Sequence, residues 1–253
     1  MFDYQPATDL LADRHILVTG AAYGIGREAA LAYARHGATV ILLDRDVTGL
    51  ESVYDAIEEE GSPQPAIYPM DLQGAREEDY QQLATTLEET FGPLHGLLHN
   101  AAQVRLLSRI DDYDAQTWFQ VMQVNLNAPF LLTQACLPLL RRAGDAALLF
   151  TSDRVGRRAK AYWGAYAVSK FGIEGLMQVL AQELRNSPIR VNSIAPGPTR
   201  TNLRAHAYPG EDPQEVKPPA TLMPLYLWLM GPESREIRGQ ALDAEALLQG
   251  EGG

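Results

Sequence analysis

Short apolar runs alternate along this chain with longer stretches in which apolar residues return every three or four positions. That alternation predicts strands interleaved with amphipathic helices. Strands are expected at 16–18, 39–43, 66–69, 94–99, 146–151 and 189–195, with a weak final one at 240–243. A helix over 25–36 places Ile25, Ala29, Ala32 and Tyr33 on one face, with Gly37 where a C-cap belongs. In the next, Thr48 is the expected cap of a face made by Leu50, Val53, Tyr54 and Ile57, which Gly61 ends. A third covers 77–91, burying Leu83 and Leu87 before Gly92 and Pro93. From Asp114, an expected N-cap, to about Arg142 the pattern is one long helical stretch. A helix carrying Tyr166 and Lys170 then runs to about Asn186, and a last one covers 220–230. Residues 202–219 hold four prolines among charges and no periodicity, which reads as a mobile loop, and the tail from Gln249 reads as frayed.

Strands alternating with helices at this spacing require right-handed crossovers. The expected fold class is therefore α/β, a doubly wound parallel sheet in one domain over 1–253, with a ligand crevice at the carboxyl ends of the strands. A chain of 253 residues with 46% hydrophobic and 21% charged residues can bury one sizeable core. Its net charge of −11 repels phosphate backbones and anionic lipid, so neither nucleic acid nor membrane is an expected partner. The first thirteen residues carry three aspartates and no basic segment, and no apolar run approaches the ~18 residues of a membrane span. A soluble, cytoplasmic protein is expected. The lone cysteine, Cys136, lies in an apolar segment and reads as core packing.

Chemistry enters at the first turn. Thr19-Gly20-Ala21-Ala22-Tyr23-Gly24-Ile25-Gly26 links a strand to a helix start, which presents free backbone N–H groups and a positive dipole end to a diphosphate. Gly20 permits the tight turn, Gly24 lets phosphate approach backbone, and Gly26 lets the helix pack on the sheet. Asp44, ending the second strand, stands where an acid reaches the adenosine ribose 2′-OH in dinucleotide folds. NAD is therefore the expected cofactor, while Arg45 beside it is the signal for NADP, since a guanidinium suits a phosphate. Tyr166 and Lys170 are one helical turn apart, so phenol and ammonium share a face. A tyrosine titrates near 10, and bringing it toward 7 asks roughly 4 kcal/mol of Lys170 and an oxidised nicotinamide together. So tuned, it exchanges a proton with an alcohol or carbonyl oxygen. Asn125, inside the long helix, competes for backbone bonds, which favours a functional role.

These elements, with Asp71 after the third strand, Asn100-Ala101-Ala102 and Pro196-Gly197, resemble the short-chain dehydrogenase/reductase family over essentially the whole chain. Within it, the segments around Tyr166 and from Met223 are similar to the bacterial YciK-type branch. The resemblance implies a Rossmann fold and an oxidoreductase moving hydride between a nicotinamide cofactor and an alcohol or carbonyl. Tyr166 would be the proton donor and acceptor, Lys170 would bind the nicotinamide ribose, and Asn125 would hold a water in the relay. Gly20, Tyr23, Gly24, Ile25, Gly26, Asp44 and Arg45 would hold the adenosine and diphosphate, Asp71 and Leu72 the adenine, and Asn100 and Ala101 the middle of the cofactor. Pro196, Gly197, Thr199 and Thr201 would seat the nicotinamide amide, with 202–219 as a substrate lid.

Counting back from Tyr166 and from Gly156, the family's catalytic serine position holds Asp153. Ser152 is one place early, on the opposite face of a strand. An ionised Asp153 only accepts hydrogen bonds and opposes the phenolate of Tyr166. Arg154 and Arg157 are expected to be solvated surface charges. Retained Tyr166, Lys170 and Asn125 favour an enzyme; Asp153 favours the alternative, a dinucleotide-binding scaffold or redox sensor with little catalysis. Apolar Leu126, Phe130, Leu131, Phe171, Leu176 and Val179 on two helices predict a homodimer or homotetramer.

Overall fold

The computed structural model describes residues 2–105 and 107–250. Seven parallel strands form one sheet in the order β3-β2-β1-β4-β5-β6-β7. They are β1 (His15–Thr19), β2 (Thr39–Asp44), β3 (Ala66–Pro69), β4 (Gly96–His99), β5 (Ala146–Thr151), β6 (Ile189–Ala195) and β7 (Ala241–Asp243). In register, Leu17 lies beside Ile41 on one side and Leu97 on the other. Because the chain builds outward to β3 and then returns to place β4 against β1, the strand order reverses between β1 and β4, which opens a crevice at their carboxyl ends.

The two faces of the sheet are both covered, as a parallel sheet requires. Alternate residues Ile16, Val18, Val40, Leu42 and Leu98 pack under α1 (Gly24–Arg35), α2 (Val47–Glu59) and α8 (Met223–Met230). The residues between them, Leu17, Ile41, Leu43 and Leu97, with Leu148 and Phe150, pack under α3 (Glu77–Phe91), α5 (Ala128–Arg142) and α6 (Gly164–Glu183). Cys136 is fully buried in this second layer, where burial pushes its thiol up to about 12, in keeping with packing. None of the helices among the described residues is long and apolar enough to cross a membrane.

Three local expectations are corrected. The cap of α2 is Asp46, not Thr48; its carboxylate accepts from the Gly49 N–H at 3.0 Å. One further expectation holds: Asp114 caps α4 (Ala115–Met122), accepting from Thr117 N–H at 2.6 Å, and the long helical stretch continues through a π-turn, Gln123–Asn127, into α5. The span 202–219 is not without regular structure. It contains α7 (Asn202–Ala207), capped by Thr201 and tied by Arg204 to Glu211 at 2.5 Å, and a 3-10 turn, Pro213–Glu215. Finally, Gln249 closes a short helix, α9 (Ala244–Gln249), started by Asp243 and stopped by left-handed Gly250; the rest of the tail lies outside the described residues. Boundaries also move slightly: α6 ends at Glu183, and a 3-10 turn, Pro219–Leu222, leads into α8.

Candidate active site

A cavity of about 650 Å³ opens at the carboxyl ends of the strands. One end is built by backbone. Gly20 and Gly24 adopt φ of +68° and +58°, a region costly for residues with a Cβ. A Cβ on Gly20 would press on the backbone of Ala101, and one on Gly26 would overlap the Gly20 carbonyl. Gly26 therefore packs behind the turn and does not line the cavity. The Thr19 hydroxyl accepts from the N–H groups of Asn100 and Ala101 at 3.0 and 3.1 Å, locking the ends of β1 and β4 together. No side chain caps the start of α1, so its first-turn N–H groups face the cavity mouth without a protein acceptor from the N-cap.

Beyond the turn, the Asp44 carboxylate is already engaged. Its Oδ1 accepts from the N–H groups of Arg45 and Asp46 at 2.7 and 3.2 Å, and Oδ2 from Ala22 N–H at 3.3 Å. The exposed Arg45 guanidinium lines the cavity and makes no ion pair or side-chain hydrogen bond with the described residues. Tyr23 donates to Asp46 at 2.8 Å, which holds the Tyr23 phenol up. Asp71 and Leu72 form the adjoining wall.

At the other end, side chains make the site. The Tyr166 hydroxyl donates to Asp153 Oδ2 at 3.0 Å, while Asp153 Oδ1 accepts from Val155 N–H at 3.0 Å. Burial, then the Asp153 charge, hold Tyr166 well above the usual phenol range. Lys170 Nζ donates to the Thr151 carbonyl at 2.8 Å and lies 5.6 Å from the centre of the Tyr166 ring. Burial brings Lys170 down to about 8, against the pull of Asp153 and Glu174. Asp153 thus favours the protonated form of both Tyr166 and Lys170. Ser152 does not replace the missing serine: its Oγ is buried and has no partner, so it offers no surface to a ligand.

One expectation about polar residues is corrected here, that for Arg154 and Arg157. Asn125 is brought near the site but not into its wall. Its amide accepts from Gln103 N–H at 2.8 Å and donates to the Gln103 carbonyl and Ser169 Oγ, so the side chain joins the π-turn to the strand exit and to α6. Arg154 and Arg157 are not free surface charges. Arg154 binds Asp243 bidentately at 2.7 and 2.8 Å and Glu245 at 2.5 Å, and Arg157 pairs with buried Glu174 at 2.8 Å.

Pro196, Gly197, Thr199 and Thr201 line the cavity as expected, held from behind by Lys217, which donates to the Pro198 carbonyl at 2.7 Å. The far wall is made by Trp163, Leu203, Ala207 and Tyr208; the last three lie in the span 202–219 expected as a substrate lid, and Trp163 was missed. Trp163 carried a readable signal, lying one helical turn before Tyr166; Tyr208 carried none, since it sits in a segment without periodicity.

This arrangement has close counterparts. The family model for short chain dehydrogenases matches residues 14–212. The uncharacterized oxidoreductase YciK of Escherichia coli K12 is 53% identical over 242 residues, covering 96% of each chain. The solved structure of the oxidoreductase YciK from E. coli superposes with a TM-score of 0.93 at 53% identity, covering 96% of this chain and 99% of that one. A Shigella flexneri protein put forward as a short chain dehydrogenase, solved complexed with NADP, gives 0.92 at 52% identity, covering 94% of this chain and all of its own. A glycine turn at a strand-order reversal, a tyrosine and lysine one turn apart on α6, and a match of family model, sequence and structure along most of the chain agree: the protein belongs to the short-chain dehydrogenase/reductase family of oxidoreductases.

Proposed function

We propose that this protein moves hydride between NADP(H) and the carbon of a small-molecule hydroxyl/carbonyl pair, with Tyr166 carrying the proton. The observation behind the reading is the Tyr166–Asp153–Lys170 cluster at one end of a cavity whose other end presents an uncapped helix start and an unpaired arginine. The glycine turn and the N–H groups of α1 fit a diphosphate. Arg45 fits a 2′-phosphate, and Asp44, turned onto three backbone N–H groups, is less available to a ribose hydroxyl than its sequence position suggests. This reading replaces the expectation of NAD, and the NADP bound to the Shigella flexneri relative supports it. The nicotinamide supplies the hydride when bound. Pro196, Gly197, Thr199 and Thr201 would seat it, Asp71 and Leu72 the adenine, and Asn100 and Ala101 the span between.

Tyr166 is held protonated, which is the form that gives a proton to a carbonyl oxygen and cannot take one from an alcohol, though the raised pKa makes it a weaker acid. Reduction is the favoured direction at neutral pH. Asp153 competes for that proton through its hydrogen bond and supplies no donor to the oxygen, so turnover on simple carbonyls should be slow. The test is a steady-state screen of small ketones and aldehydes with NADPH and NADH beside binding titrations of both. Binding without turnover, restored by Asp153→Ser, would favour the scaffold reading.

A homodimer or homotetramer is part of the same proposal. Phe130 on α5 and Phe171 and Val179 on α6 are exposed, and Leu126 packs over Gly172 at the same surface. Light scattering giving a monomer at micromolar concentration would remove it.

A further inference from the structure

An oxygen being reduced gains negative charge and needs donors around it. Asp153 offers the reacting atom only acceptor oxygens. Its cationic neighbours are directed elsewhere: Arg154 to Asp243 and Glu245, Arg157 to Glu174, and Lys170 to the Thr151 carbonyl. Glu174, one turn beyond Lys170, is itself neutralised by Arg157, which leaves Asp153 as the carboxylate without an ion pair on this wall among the described residues. Beside Asp153, Trp163 lies 5.5 Å from the ring of Tyr166 and 5.8 Å from that of Tyr208. These faces already attract cations from the solvent side, with Lys160 Nζ 5.3 Å from the Tyr208 ring and 5.8 Å from that of Trp163. Arg204 stacks on Tyr208 but is neutralised by Glu211. A half-buried carboxylate sharing a cavity wall with aromatic faces is a place where an organic cation is stabilised.

We propose that the site also reduces protonated C=N bonds, with Asp153 as the catalytic residue that holds the iminium N–H. The inference rests on the NADP(H) reading above. A reduced nicotinamide dinucleotide is the hydride donor. The hydride adds to the iminium carbon, the C=N π pair moves to nitrogen, the nitrogen keeps its proton, and a neutral amine and the oxidised dinucleotide leave. No proton is asked of Tyr166 in that step. The Asp153 charge keeps the nitrogen in its protonated, electrophilic form, and in the reverse direction it stabilises the cation that develops on the amine.

The test pairs 3,4-dihydroisoquinoline with 1-tetralone, a ketone of matching shape, each with NADPH, on wild type, Asp153→Asn and Asp153→Ser. Wild type should turn over the imine with kcat/KM about tenfold or more above the ketone. Asp153→Asn, close in shape, should lose roughly tenfold on the imine and move the alkaline limb of imine reduction down by about one to three pH units. In calorimetry, tetrahydroisoquinolinium should bind wild type about tenfold or more tightly than Asp153→Asn. Thermal melts and NADPH titrations establish that the variants are folded. Reduction of the ketone without the imine overturns this inference and leaves the carbonyl reading standing. An imine rate, pH limb and amine affinity unchanged in Asp153→Asn overturns the role of Asp153. Bound NADPH with neither substrate reduced overturns both readings.

Discussion

The two ends of the cavity are built from different materials. At the cofactor end, the glycine turn, the start of α1 and the Thr19 clasp present backbone groups, and a side chain enters mainly through Arg45. At the chemical end, side chains make the site: the charge of Asp153 raises both the Tyr166 phenol and the Lys170 ammonium beside it. A backbone-built end depends on conformation, so it tolerates change at most positions but not at its glycines. A side-chain-built end depends on the identity of single residues, so one exchange can redirect its chemistry without disturbing the fold.

Tyr166→Phe gives the sharpest break between the ends. Carbonyl turnover should fall by about 10²–10⁴-fold, the range for loss of a positioned acid, with NADPH affinity nearly unchanged. Equal losses in both would mean that the ends are not independent. Next comes Asp153→Ser, which restores a donor and removes a charge; carbonyl turnover should rise by a factor of about 10²–10³. The sign of the accompanying pH effect follows from the charge: without the Asp153 carboxylate the phenolate is easier to form, Tyr166 titrates lower, and alcohol oxidation should set in at lower pH. A slower variant would mean that the aspartate assists carbonyl chemistry.

Arg45→Ala sharpens the comparison from the other side. NADPH binding should weaken by about 1.5–3 kcal/mol, the worth of a charge-assisted hydrogen bond, while NADH titrates as before and turnover at saturating NADPH holds. The smallest effect lies beneath both ends. His99, stacked on Phe150 and bonded to Thr133 at 2.8 Å, is lowered by burial to about 3 from an ordinary value of 6.5. Between those values the unfolded chain binds the proton and the folded chain does not, so stability falls as pH drops below 6.5. Denaturant melts at pH 7.5 and 5.5 should differ by roughly 1.4 kcal/mol from this residue, and His99→Gln should reduce that difference.

The backbone-built end was the more legible in sequence. The φ demands of Gly20 and Gly24 are properties of single residues, and the turn formed where their spacing placed it. Of the chemical end, the pairing of Tyr166 with Lys170 was readable from helical spacing, whereas the place of Asp153 beside Tyr166 came from the family resemblance, by the count back from Tyr166 and Gly156. Of the far wall only the span 202–219 was expected, not the side chains that build it. Tyr208 reaches Trp163 only because α7 forms, and that short helix owes its start to Thr201 and its end to the Arg204–Glu211 pair, with no apolar period to announce it.

By itself the sequence determined the alternation of strands and helices, the crevice at the strand ends, the diphosphate-suited turn and the tyrosine–lysine face, because each follows from periodicity, a backbone dihedral or a spacing of four within one element. Only the tertiary structure decided that Asp44 bonds to backbone N–H groups, that Asn125 ties the π-turn to Gln103 and Ser169, that Arg154 clamps α9, and that Arg45 stands unpaired. A polar side chain bonds to whatever donor or acceptor comes within about 3 Å of it. For these residues that partner is set by how the folded chain packs, not by the periodicity of the element carrying them.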